Sequence, residues 1–210
     1  MRKYAGVNSD TGEAQWYKDV LDTDNKPTGV KEITTDYSAA TRYYTGKEFI
    51  PKFTGGFNNY FRLGNFDLNI LLNYSFGSYL YDYDYASLMN GFKSQGYAAS
   101  VDLKDRWQKP GDITNVPRLQ TNTNSFNSYS DRFLFKNDYV RLKALTFGYS
   151  LPQDAIKSIG ASALRIYFQG DNLFTYQSHK GVDPEQGFGG GTNQRALGQK
   201  TYTFGLKLQF

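Results

Sequence analysis

From Phe53 the chain alternates. Phe53, Gly55, Phe57, Asn59, Phe61 and Leu63 share one parity, and Thr54, Gly56, Asn58, Tyr60 and Arg62 the other, which is the two-residue period of a strand with unlike faces. Gly64 and Asn65 supply the tight reversal of a hairpin. The next stretch is cleaner, with Phe66, Leu68, Ile70, Leu72, Tyr74 and Phe76 set against Asp67, Asn69, Asn73, Ser75 and Gly77. Its length fits the roughly nine to eleven residues that a tilted strand needs to cross a bilayer. The chain ends in the same way: Tyr202, Phe204, Leu206, Leu208 and Phe210 alternate with Thr203, Gly205, Lys207 and Gln209.

Two further strands complete the pattern. Residues 139–151 are less regular, because Arg141 and Lys143 share parity with Leu145, Phe147, Tyr149 and Leu151; this predicts that the upper part of the strand stands clear of the apolar zone. Residues 164–176 put Leu164, Ile166, Phe168 and Gly170 outward and Arg165, Tyr167, Gln169 and Asp171 inward. Pro152 opens a helical turn over 153–159 that Gly160 closes. Short turns at 64–65 and 152–163 thus alternate with long loops at 78–137 and 177–200, the rhythm of an outer-membrane barrel. The five stretches 53–63, 66–77, 139–151, 164–176 and 201–210 are predicted to pair antiparallel in sequential order.

Elsewhere the pattern is weak. Residues 1–50 are rich in turn signals and offer one short strand, 14–20, as an excursion between strands. The insertion 78–137 holds helical pieces at 84–90, before Gly91, and at 102–107, where Leu103 and Trp107 stand at i,i+4. A polar stretch at 120–130 and a weak strand candidate at 132–136 follow. A loop of this length is functional or external.

Composition sharpens the class. Tyr (18) and Phe (16) carry the apolar content, aromatics reach 17%, and yet the mean hydropathy is −0.62. Lipid-facing strands with aromatic girdles and a polar interior have this make-up. No run approaches the ~18 apolar residues of a membrane-spanning helix. The expected fold is all-β: an antiparallel up-and-down transmembrane barrel segment. A soluble all-β carbohydrate-binding module, lectin-like, has the same alternation, and the two differ in where the even-face aromatics go. Residues 1–10 lack the apolar core of a secretory signal; if the protein is exported, its signal is expected elsewhere. Cysteine is absent and the net charge of +4 is scattered, which gives no disulfide framework and no nucleic-acid footprint.

Candidate chemistry is sparse. His179 lies in a polar loop, no Gly-x-Ser-x-Gly elbow occurs, Pro184 between Asp183 and Glu185 marks a turn, and Gly187 to Gly191 lack the strand-to-helix setting of a phosphate loop. The stretch from Asp22 to Asn25 fails as a calcium loop because Pro27 and Ile33 stand where Gly and Glu are required. No enzyme, metal site or cofactor is therefore expected. Binding is the better candidate: Tyr79, Tyr81, Tyr83 and Tyr85 leave the outward strand at alternate positions, Trp107 follows, and Asp82 and Asp84 are candidate acceptors for ligand hydroxyls. The plainer reading is that these rings pack the base of a long loop or form the outer girdle.

The sequence also carries a resemblance. Asn137-Asp-Tyr-Val-Arg-Leu-Lys-Ala-Leu-Thr-Phe-Gly-Tyr-Ser-Leu-Pro152, Leu164-Arg-Ile-Tyr-Phe-Gln-Gly-Asp-Asn-Leu-Phe174, Gly181-Val-Asp-Pro-Glu185 and Tyr202-Thr-Phe-Gly-Leu206 resemble the carboxy-terminal barrel of SusC/RagA-type TonB-dependent outer-membrane transporters. Tyr4-Ala-Gly6, Pro51-Lys-Phe-Thr-Gly-Gly56, Asp105-Arg-Trp107 and Val116-Pro-Arg-Leu119 are similar to that family as well. The resemblance implies a roughly 22-stranded parent barrel in the outer membrane of a Gram-negative, Bacteroidota-like cell. It further implies import of oligosaccharides or peptides with a SusD-like surface lipoprotein, energised through TonB. Residues 1–210 then correspond to about five or six strands, with no plug domain, and are not expected to transport alone. By the same resemblance, Tyr202, Phe204, Leu206, Leu208 and Phe210 form the strand read by the barrel-insertion machinery.

Overall fold

The computed structural model describes residues 1–91, 96, 98–119, 127–192, 194 and 196–210. Its strands are β1 (Tyr4–Val7), β2 (Ala14–Leu21), β3 (Pro27–Thr34), β4 (Phe53–Leu63), β5 (Phe66–Phe76), β6 (Tyr79–Tyr81), β7 (Leu134–Lys136), β8 (Tyr139–Ser150), β9 (Ala163–Gln177) and β10 (Thr201–Gln209). Two short helices, α1 (Tyr83–Leu88) and α2 (Gln153–Ile156), lie between them. The chain forms two units, one of residues 1–47, 81–135 and 191–194 and the other of residues 48–80, 136–190 and 195–210.

In the second unit β4, β5, β8, β9 and β10 make one antiparallel sheet in that order, the predicted sequential pairing. Leu63 faces Phe66 across the reversal, where Gly64 takes φ +57°, a conformation that a side chain would penalise. At the next return Gly160 has φ +72° and ends the helical turn, also as predicted. The sheet is open, with β4 and β10 as its edges.

The register brings like residues into rows. Phe61, Leu68, Phe147, Phe168 and Phe204 follow one another across the sheet. Rings meet along these rows, Phe66 with Tyr149 at 4.7 Å and Phe168 with Phe204 at 5.0 Å, contacts worth about 0.5–1.5 kcal/mol each beyond their burial. Nevertheless this face is bare: Leu63 is 82% exposed, Phe204 80% and Leu206 71%. A soluble sandwich would cover such a face with a second sheet.

The irregular pattern of β8 has a structural cause that differs from the expected one. Leu71 pairs with Ala144 and Leu72 with Leu142, so Lys143 is an extra residue in β8. This bulge reverses the phase of the strand. Leu145, Phe147 and Tyr149 lie on the apolar face above it, and Val140 and Leu142 below it, while Arg141 falls opposite Asn73 and Thr175 on the polar face. At Arg141 the strand changes parity, which is enough to account for its irregular pattern. On β9 the same level is occupied by Asn172, whose φ of +53° is the left-handed geometry that asparagine tolerates better than most residues.

The polar face is built on close approach. Arg165 donates to Asp67 from Nε at 2.9 Å and from Nη2 at 2.5 Å, reaching across β8 at Gly148. A Cβ on Gly148 would collide with the Arg165 guanidinium and stand 2.6 Å from the Asp67 carboxylate. Gly148→Val therefore forces this ion pair apart, and the expected loss is about 1–3 kcal/mol. The urea midpoint of the folded protein, read from heat-modifiable gel mobility, checks it; an unchanged midpoint would mean that the pair does not stabilise the sheet.

The first unit is richer in structure than its sequence suggests. Residues 1–50, read as an excursion with one strand, hold the three-stranded sheet β1-β2-β3. β3 was hidden because Pro27–Thr34 is an edge strand exposed on nearly every residue, so no burial imposes a period on it. Trp16 is buried at the centre of β2 with Ala14 and Ala40, and Tyr4 and Tyr37 pack against them. A second cluster joins Tyr81, Ala86, Met89, Leu103, Val116 and Phe133. The helix expected over 84–90 is α1, capped by Asp82, whose carboxylate accepts the Tyr85 amide. The piece expected over 102–107 is instead a 3-10 turn, Val101–Asp105, that buries Leu103 but leaves Trp107 outside it. Most of the 120–130 stretch lies outside the described residues.

Candidate functional site

Three features of the described residues concern function: the apolar wall, the ion network behind it and the tyrosine cluster of the first unit. The wall needs no ligand to be chemically definite. Its residues on β10, Tyr202, Phe204, Leu206 and Leu208, are all exposed on one face, and Phe210 follows at 81% exposure. Backbone groups along β5, β8 and β9 are paired on both sides within the sheet. A sheet with satisfied backbone, one bare apolar face and one charged face suits a boundary between hydrocarbon and water.

Behind the wall, the phase reversal at Lys143 delivers Arg141 to a cluster of carboxylates. Arg141 donates to Asp183 Oδ1 at 2.6 Å, to Glu185 Oε2 at 2.7 Å and to Thr175 Oγ1 at 2.9 Å. Lys143 reaches the same Glu185 oxygen at 2.7 Å. Asp183 caps the 3-10 turn Pro184–Gly189 through the Glu185 amide, and its second oxygen accepts the Gly198 amide at 3.0 Å. The loop between β9 and β10 is thereby tied to the strand at two points. Burial disfavours the ionised Asp183, but hydrogen bonds from Arg141 and from the Glu185 and Gly198 amides outweigh it and hold the carboxyl below the usual carboxylate range. Asp183 and Glu185 are thus structural anions, and their sequence pairing around Pro184 is explained by one shared guanidinium.

The predicted ligand-contact residues separate. Because α1 begins at Tyr83, the alternate spacing of Tyr79, Tyr81, Tyr83 and Tyr85 ends after β6. Tyr81 is buried beneath Tyr129, at 4.7 Å between ring centres, and Phe133. Tyr85 donates its hydroxyl to Asp102 at 2.7 Å. Burial first, then that bond, pushes its phenol up to about 12, so it stays a neutral donor. Trp107 donates Nε1–H to the Ser9 carbonyl at 2.8 Å and lies against Gly12, where a Cβ would strike the indole. These three hold the unit together.

Tyr83 alone of the four presents its ring, at 51% exposure, and it lies nearly parallel to the half-exposed Tyr129 with ring centres 6.5 Å apart. Tyr129 was not anticipated; a lone tyrosine at the end of a polar stretch carries no periodic signal. Nor are Asp82 and Asp84 open acceptors. Asp82 holds the Tyr85 amide and the Thr192 hydroxyl, and both oxygens of Asp84 receive the Gln194 amide.

A sequential antiparallel meander with a bare aromatic and aliphatic face, a charged opposite face and long loops defines a segment of a transmembrane β-barrel. Comparison with known proteins narrows the class. No family model matches the chain. TonB-dependent receptor P3 of Formosa agariphila is 31% identical over a 223-residue alignment covering 99% of this chain and 21% of that protein. TonB-dependent receptor P39 of the same organism is 30% identical over 170 residues, 77% of this chain and 16% of that protein. Among solved structures, the RagAB peptide transporter superposes with a TM-score of 0.81 at 29% identity, over 100% of this chain and 22% of the solved one. The RagAB peptide importer in its open-open state gives 0.74 at 26% identity, with the same coverage. The chain belongs to the TonB-dependent receptors, in the SusC/RagA-type group. It spans about a fifth of the length of the relatives it matches.

Proposed function

We propose that residues 1–210 are a carboxy-terminal barrel segment of an energised outer-membrane importer. Its plug and TonB-engaging parts lie elsewhere in the parent, and a SusD-like surface lipoprotein serves as its lid. The observation that carries this reading is the five-strand meander whose apolar face is bare while its polar face is locked by Asp67–Arg165 and Arg141–Asp183. In the proposed barrel the first faces lipid and the second the lumen. The likeness to a protein described as a peptide importer favours peptide over oligosaccharide cargo. The test is uptake of labelled peptide and labelled oligosaccharide by cells with and without the full-length receptor. Receptor-dependent accumulation of peptide is expected, and a receptor absent from the outer-membrane fraction would end the proposal.

Within that reading Tyr83 and Tyr129 are the ligand-contact rings of this segment, and Tyr81, Tyr85 and Trp107 support them. Tyr83→Ala combined with Tyr129→Ala is expected to weaken peptide binding to the full-length receptor about tenfold, the size of one well-packed aromatic contact of roughly 1.5 kcal/mol. Isothermal titration checks it; unchanged affinity would return both rings to a packing role.

A further inference from the structure

Three tyrosine rings meet in the first unit. Tyr81 is buried, and its ring centre lies 4.5 Å from that of Tyr83 and 4.7 Å from that of Tyr129. The outer two are open to solvent, Tyr83 at 51% and Tyr129 at 46% exposure, and they lie 6.5 Å apart with 17° between their planes. Burial first, and then the neighbouring Tyr83 phenol, pushes the Tyr129 phenol up, so the two hydroxyl ends are close. Nearly parallel rings at this separation that approach at their hydroxyls meet by their edges, and those edges carry the ε-carbons ortho to each oxygen.

Both rings are held from outside the pair. Asp82 caps the helix that starts at Tyr83, and a Cβ on Gly191 would strike the Tyr83 ring at 2.6 Å, so backbone lies close against that ring. Residue 129 is pinned by the Tyr37 hydroxyl, which donates to the Tyr129 carbonyl at 2.8 Å. Two reactive groups fixed side by side combine far faster than the same groups on separate molecules, because the entropy of bringing them together is already lost. Exposure alone does not single out the pair. Tyr44 and Tyr176 are more exposed, at 90% and 72%, but neither has an aromatic ring contact among the described residues.

We propose that Tyr83 and Tyr129 form an oxidative coupling site, at which a one-electron oxidant of the peroxidase and hydrogen peroxide class joins the two rings as a dityrosine. Each phenol gives up one electron and its hydroxyl proton. The two radicals pair as a new bond between one ε-carbon of each ring, the two Cε–H bonds break, and those protons return to the phenolic oxygens. The net loss is two hydrogen atoms, and one hydrogen peroxide accepts them to become two waters. Such a covalent modification fixes the rings edge to edge and removes their freedom to close on a ligand. That consequence rests on the reading of these rings as peptide contacts; the coupling itself does not.

The test treats the full-length receptor in neutral detergent with a haem peroxidase and hydrogen peroxide, and identifies linked peptides by tryptic digestion and mass spectrometry. Wild type is expected to yield an intramolecular link between Tyr83 and Tyr129, together with dityrosine fluorescence. Tyr83→Phe and Tyr129→Phe keep the rings and remove the hydroxyls; each is expected to lose the link with unchanged heat-modifiable mobility, while Tyr44→Phe with Tyr176→Phe keeps it. Absence of the link in folded wild type, coupling through Tyr81 or another tyrosine instead, or a link that persists in either single variant would overturn the site. Isothermal titration of the oxidised receptor with peptide reads the consequence separately, and affinity should fall about tenfold, as in the double alanine variant. A link that forms without that loss upholds the coupling site and overturns only the role of the rings as ligand contacts.

Discussion

Leu206→Arg is expected to lower the folded fraction of the full-length receptor by one and a half to three orders of magnitude in the equilibrium constant. Leu206 lies midway along β10, opposite Ile166, on the face that is bare in the isolated sheet. A guanidinium at the bilayer midplane costs roughly 2–4 kcal/mol, and each 1.4 kcal/mol is a factor of ten. The matched control adds a charge to the other face. Gly205→Lys, the neighbour suggested by parity alone, is unsuitable, because the Tyr167 ring lies over Gly205 and a Cβ there would overlap it. Thr203→Lys is the cleaner control: Thr203 pairs with Gln169 on the polar face and is expected to cost little. Phe210 belongs to the strand that we propose is read at insertion, and deleting it should reduce folded yield by less than the arginine does. Heat-modifiable mobility of the variants in one membrane preparation decides the matter, and equal folded fractions for Leu206→Arg and Thr203→Lys would show that the faces are wrongly assigned.

The second large effect lies behind the wall. Arg141→Met strands the Asp183 carboxylate, whose side chain is only 4% exposed, while Glu185 keeps Lys143, and breaking a buried pair from one side costs about 3–5 kcal/mol. Arg141→Met combined with Asp183→Leu removes the stranded charge and should recover most of that loss. The same network sets an acid limit. The carboxyl of Asp183 is depressed in the folded state, so the unfolded chain takes up its proton first as pH falls. Its contribution is therefore whole above the ordinary carboxylate pKa, about 3.9, and declines as pH drops through and below it toward the folded value. Protease cutting in the loop between β9 and β10 should rise as pH falls from 5 to 3 in wild type, and be high and flat in Arg141→Met. A loop equally resistant in both would mean that the network does not hold it.

The sequence by itself determined the five long strands, their sequential pairing, the hairpin at Gly64, the stop at Gly160 and the apolar face of β10. Each of these follows from a local rule: a two-residue period, or a glycine where φ must be positive. The same local rules misjudged β8, because a one-residue bulge at Lys143 reverses parity without leaving any signal in composition. Only the fold showed that Arg141 belongs with Asp183 and Glu185, more than forty residues away, or that Asp67 meets Arg165 over Gly148. Those partnerships depend on register between strands, which the sequence of one strand does not contain. In the first unit the tertiary structure decided nearly everything. β3 is exposed on both faces and so has no pattern to read, and the tyrosines from Tyr79 to Tyr85 look periodic only until α1 starts. Which ring is buried and which is presented was settled by Asp82, whose carboxylate caps that helix and ends the strand.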